Sequence, residues 1–64
     1  MSKLSFKIFC IEHYADYKDC TSDRIYAIFK KSGLLTLLDQ DYEDLHGMGI
    51  EWLCEYFDRY LERS

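Results

Sequence analysis

Apolar residues recur every three or four positions along almost the whole chain, a spacing that suits helices and no other regular structure. The last segment shows it best. Ile50, Leu53, Cys54, Phe57 and Leu61 share one side of a helix predicted over about Ile50 to Arg63. Trp52, Tyr56 and Tyr60 widen the apolar arc to about half the circumference. Glu51, Glu55, Asp58, Arg59 and Glu62 fill the remainder, which is the solvent side. The chain has no proline and no valine and is rich in Leu, Ile, Glu, Asp and Lys, which favours helix over strand.

The first segment, about Leu4 to Lys18, carries two apolar stripes. Leu4, Ile8, Ile11 and Ala15 form one, and Phe6, Cys10, His13 and Tyr17 form the other. At about 100° per residue the stripes lie on opposite sides of the helix, with Phe9 flanking the second. Ser5, Glu12 and Asp16 occupy one gap, and Lys3, Lys7 and Lys18 the other, where long stems can lie along apolar surface. Such a helix is either central in its fold or shared between the fold and a partner.

Thr21-Ser22-Asp23 is a helix start: Thr21 or Ser22 can cap, and Asp23 sets negative charge in the first turn. Ile25, Ile28 and Phe29 give that helix its face, Lys30 and Lys31 suit its C-terminal dipole, and Gly33 is the left-handed stop. A leucine cluster then predicts a short helix over Leu34 to Leu38, and another turn is expected over Asp41 to Leu45. His46-Gly47-Met48-Gly49 reads as a connection with two conformationally permissive glycines. The expected fold is all-α: one domain over residues 1–64, a bundle of three or four short helices with the first and last packed together.

Composition removes several functions. At 48% hydrophobic and 31% charged the chain is too apolar for intrinsic disorder. A net charge of −4 argues against a nucleic-acid footprint. No apolar run approaches the ~18 residues of a membrane span. Lys7, Glu12 and Asp16 interrupt any signal-peptide core, and three cysteines make no paired framework, so a reducing, cytoplasmic setting is expected.

Cys10 and His13 share a helix face and could form a thiolate–imidazole pair, or half of a metal site completed by Cys54. A buried thiol beside a half-buried histidine is the favoured reading, since no third group orients the pair. His46 is expected to cap the preceding helix rather than act as a ligand. Gly47-Met48-Gly49 is too short for a phosphate loop, and Asp39, Asp41, Glu43 and Asp44 lack the spacing of a calcium loop. A helix–glycine turn–helix over Ile25 to Leu45 would present acids to DNA, and is rejected as a DNA reader. No catalytic residue, metal ligand or cofactor is assigned.

The aromatic residues carry the functional expectation. Phe6, Tyr17, Trp52, Tyr56 and Tyr60 are the candidate partner-binding residues, because Tyr and Trp bury large area at little entropic cost and dominate interface hot spots. The competing reading is that they complete the core of a small domain.

The whole chain also resembles a family. An aromatic first helix with Cys10-Ile11-Glu12 leads to a capped helix ending Ile28-Phe29-Lys30-Lys31-Ser32-Gly33. A leucine cluster, Tyr42-Glu43-Asp44-Leu45-His46, Met48-Gly49 and an amphipathic last helix follow. This order resembles the short bacterial proteins of the domain of unknown function DUF3791; Gly47 departs from it, where a threonine or similar polar residue is expected. The family often neighbours genes resembling ADP-ribosyltransferase toxins, which implies an antitoxin-like or accessory role, and it implies no catalytic residues. The expected function is therefore a non-enzymatic protein-binding module, with its acidic face steering it to a basic partner. The alternatives are a structural homodimer and, more remotely, a Cys/His metal or thiol activity.

Overall fold

The computed structural model describes residues 1–63, so Ser64, the last residue of the expected domain, lies outside the described residues. Five helices follow one another: α1 (Lys3–Lys18), α2 (Ser22–Ser32), α3 (Leu34–Gln40), α4 (Tyr42–Leu45) and α5 (Ile50–Arg63). No strand is present among the described residues. The all-helical expectation holds, with α3 and α4 as separate short helices.

The helix ends follow from local chemistry. Ser2 caps α1 by accepting from the Ser5 amide, and Thr21 caps α2 by accepting from the Arg24 amide at 3.2 Å. Gly33 closes α2 in the left-handed region, φ 85°, and in the same step opens α3. A side chain there would be strained, and its Cβ would stand 3.4 Å from the Tyr60 hydroxyl. Asp19 closes α1 with φ 55°, the one left-handed non-glycine among the described residues. Gly47 and Gly49 differ from expectation. Neither takes a positive φ and neither is crowded, so this turn does not depend on glycine.

The core is assembled from all five helices: Phe6, Cys10, Ile11, Tyr14 and Ala15 from α1, Ile25 and Phe29 from α2, Leu34 and Leu38 from α3, Leu45 from α4, and Leu53, Cys54 and Phe57 from α5. At its centre the rings of Tyr14, Phe29 and Phe57 meet in pairs, with centroids 5.2 to 5.7 Å apart. α1 packs against α2, α3 and α5, which makes it the central helix and accounts for its breadth of apolar surface.

The face that α1 buries is not either predicted stripe. Its centre is Tyr14, between them, on the side assigned to the lysines. Phe6 and Cys10 from one stripe and Ile11 and Ala15 from the other form its two edges. The outer members, Leu4, Ile8, His13 and Tyr17, are exposed. Lys7 and Lys18 stay on the buried side by reaching past the core to carboxylates, Asp39 on α3 at 3.1 Å and Asp58 on α5 at 3.1 Å. On α2, Ile28 is likewise left at the surface although its spacing matches Ile25 and Phe29.

Candidate functional site

Of the five aromatic residues expected to meet a partner, Phe6 is in the core. It is 1% exposed and packs edge-on against the Tyr42 ring at 5.5 Å. This corrects its assignment. One turn into the helix that every longer neighbour packs on, a phenyl ring is worth more to the fold than to the surface. The Tyr60 ring is half-buried, and its hydroxyl donates to the Ser32 carbonyl at 3.0 Å, tying α5 to the end of α2.

Tyr17 and Trp52 remain at the surface, 52% and 40% exposed. They do not form one patch. Tyr17 rests on Tyr14, ring to ring at 5.9 Å, and lines a shallow groove with His13, Asp16, Ile50, Glu51 and Cys54. Trp52 lies on α5 about 160° around the helix from Cys54, so the two sites open from opposite flanks of the last helix. Trp52 stacks nearly parallel on Tyr56, 5.3 Å between centroids and 12° between planes. Burial raises the Tyr56 phenol, and the Asp41 carboxylate adds to the rise.

The i, i+4 relation of residues 52 and 56 produces this stack: side chains four apart lie one above the other on a helix. The result is a flat aromatic platform at the edge of the core, and the stripe of α5 that carries it continues to Arg59 and Arg63, whereas Glu51 and Glu55 lie on the neighbouring stripe toward Tyr17. The chain from 39 to 55 holds Asp39, Asp41, Glu43, Asp44, Glu51 and Glu55 and no lysine or arginine. The ion pairs among the described residues are Lys7–Asp39 and Lys18–Asp58, so the last five of those acids have no cation. The nearest cation along α5 is Arg59, one turn beyond Tyr56.

A second cluster involves residues that the periodicity did not single out. The Tyr14 hydroxyl donates to Asp58 at 2.5 Å, and Lys18 pairs with the same carboxylate oxygen. Burial pushes Asp58 upward, but the hydrogen bonds from Tyr14 and Lys18 and the lysine charge outweigh it and hold the carboxyl below its ordinary 3.8. Tyr14 belongs to a row with Phe6 and Cys10, four residues apart, which was the available signal. Asp58 had none, since its i±4 neighbours in α5 give no hint of a tyrosine 44 positions earlier.

Cys10 and His13 part company in space. Cys10 is in the core and its thiol is pushed up to about 12, chiefly by burial and further by neighbouring Cys54. Such a sulfur keeps its proton at neutral pH and is a poor nucleophile or ligand. His13 is exposed, its ring against Phe9 at 4.3 Å. His46 Nδ1 donates to the Tyr42 carbonyl at 2.8 Å, the capping role expected of it, and the two rings stack at 4.5 Å. Among the described residues no three or more His, Cys, Asp or Glu side chains stand together in a metal-holding arrangement. No described helix is long and apolar enough to cross a membrane.

Residues 5–63 match the model of a protein family described as a protein of unknown function, DUF3791. No curated protein and no solved structure matches the chain.

Proposed function

Given that the chain belongs to the DUF3791 family, whose description states no activity, we propose that it is a non-enzymatic module that binds another protein through aromatic side chains left outside its core. The observation that carries this reading is Trp52. The largest side chain in the sequence is left 40% exposed and stacked on Tyr56, in a domain short enough that burying it would add appreciably to a small core. Rigid, partly buried aromatic platforms are what interface hot spots are made of. Tyr17, on the opposite flank of α5, offers a second contact of the same kind. The antitoxin-like or accessory role implied by the family resemblance is one form of this activity, exercised in the cytoplasm.

The test is a size and capture measurement on the full chain. Trp52→Ala is expected to leave the thermal midpoint within a few degrees of the parent while removing capture of the protein encoded beside it. Loss of the fold in Trp52→Ala would place Trp52 in the core and end the reading at that residue. A parent chain that is a dimer at micromolar concentration, and a monomer as Trp52→Ala, would replace the separate partner with a second copy.

A further inference from the structure

The groove beside Tyr17 lies where α1 meets α5, on the flank of α5 away from Trp52. His13 and Tyr17 from α1 and Ile50 and Cys54 from α5 form its floor, and the Phe9 ring, against His13 at 4.3 Å, continues the α1 row. Asp16 and Glu51 stand in the lining, one from each helix. Glu12 comes one turn before Asp16, and Glu55 one turn after Glu51, so each helix carries two carboxylates at i, i+4. All four are exposed, and neither ion pair of the described residues includes any of them. The chain has no lysine or arginine between Lys7 and Lys18, nor between Lys31 and Arg59. Lys18 does reach the Tyr17 ring, 5.8 Å from its centroid, but its charge is held by Asp58. The hydrogen bond and charge of Asp58 raise the Tyr17 phenol above its ordinary value, with burial and Glu55 adding to the rise against Lys18. A negative potential thus covers an apolar, aromatic floor.

We propose that the Tyr17 groove docks a basic segment of a partner protein, an arginine or lysine set between Asp16 and Glu51 and an apolar neighbour seated on Ile50 and the aromatic row. This deepens the protein-binding reading given above and rests on it. Charge complementarity selects the occupant. An arginine fork offers several donors to carboxylates and lies well on aromatic faces. An acidic segment would meet like charge on both walls, and a neutral one would crowd Asp16 and Glu51 without pairing them. A second copy docked through the same groove would bring those acids against themselves. Shallow and open, the groove suits side chains presented by a protein better than a small molecule, whose sites enclose most of the ligand.

Short capped peptides of alternating arginine and leucine test the proposal, with counterparts in which every arginine is replaced by glutamine or by glutamate. Binding to the full chain is followed by amide shifts in NMR. The arginine peptide is expected to shift His13, Asp16, Tyr17, Glu51 and Cys54 saturably. Binding should weaken about tenfold in Asp16→Asn/Glu51→Gln, two exposed charge pairs being lost together. Tyr17→Ala should weaken it comparably, and so should a rise in salt from roughly 50 to 500 mM. Thermal melts confirm that each variant is folded. Asp23→Asn, an acid on α2, and Trp52→Ala, on the opposite flank of α5, should bind as the parent does.

Equal binding of the glutamine peptide would overturn the basic occupant while leaving an apolar protein-docking groove. Binding that survives both Tyr17→Ala and Asp16→Asn/Glu51→Gln, or that Asp23→Asn weakens as much as they do, would overturn it as diffuse charge attraction. Shifts centred on Trp52 and Tyr56 would overturn the location. A chain that dimerises at micromolar concentration and becomes a monomer as Tyr17→Ala would overturn it in favour of a second copy. Failure of all three peptides would overturn it too, and the broader reading would then stand or fall on capture of the neighbouring protein and its loss in Trp52→Ala.

Discussion

Asp58 is the residue on which the junction of α1 and α5 turns, since one carboxylate receives both the Tyr14 hydroxyl and the Lys18 ammonium. Its folded-state pKa lies below the ordinary value, so the folded state holds the proton less readily than the unfolded one. The stabilisation is therefore complete above about pH 4, the range where an unfolded aspartate is ionised. It is lost as pH falls through the depressed value. Thermal melts across pH 2 to 6 should show the parent losing stability on acidification, and Asp58→Asn losing less over the same window. Tyr14→Phe removes one hydrogen bond to a charged acceptor and should cost about 1–2 kcal/mol at pH 7, measured by urea unfolding. An unchanged midpoint would mean that the ring of Tyr14, rather than its hydroxyl, holds the junction.

At the scale of elements, Gly33 decides how two helices share one residue. It ends α2 and begins α3 with no loop between them, which the left-handed backbone allows and a β-carbon opposes. Gly33→Ala should destabilise by about 1–2 kcal/mol, and Gly33→Asn by less, because asparagine tolerates that conformation. Gly47→Ala is the control: with open space and no positive φ at that position, it should be neutral. Chemical denaturation of the three variants settles the ranking, and equal effects at 33 and 47 would contradict it. Helix positions were legible in the sequence because caps and stops act through neighbours in the chain. Thr21, Gly33 and His46 do what their local chemistry implied. The buried side of α1 was not legible. Two apolar stripes on one helix fit two orientations, and only the helices packed around it select the sector centred on Tyr14.

For the whole molecule, the three-ring centre sets the margin of stability. Phe57 is fully buried and meets Tyr14, Phe29 and Tyr56. Truncating such a phenylalanine costs about 3–5 kcal/mol. A core of this size supplies only ~3–5 kcal/mol in total. Phe57→Ala should therefore be largely unfolded at 25 °C by circular dichroism, whereas Trp52→Ala stays folded. A folded Phe57→Ala would show that the exposed platform and the helix caps contribute more than the core. The Cα radius of gyration, 10.5 Å, matches the ~10.7 Å expected of a compact chain of this length, so the helices close on one centre rather than extending to meet a partner. The candidate surface is thus what remains outside a closed core, and its aromatic members had to be sorted by structure. Phe6 went in, Tyr56 and Tyr60 went halfway, and Tyr17 and Trp52 stayed out.

By itself the sequence determined that the chain is helical, where its helices start and stop, and that its apolar surface is broad, because these depend on periodicity and on residues within a turn of each other. The tertiary structure alone decided which aromatic residues are core and which are surface. It also decided that Tyr17 and Trp52 face different ways and that Tyr14 and Lys18 converge on Asp58. Those outcomes depend on the angle and depth at which one helix meets another. Helical spacing says that a side chain points sideways, and only packing says what it points at.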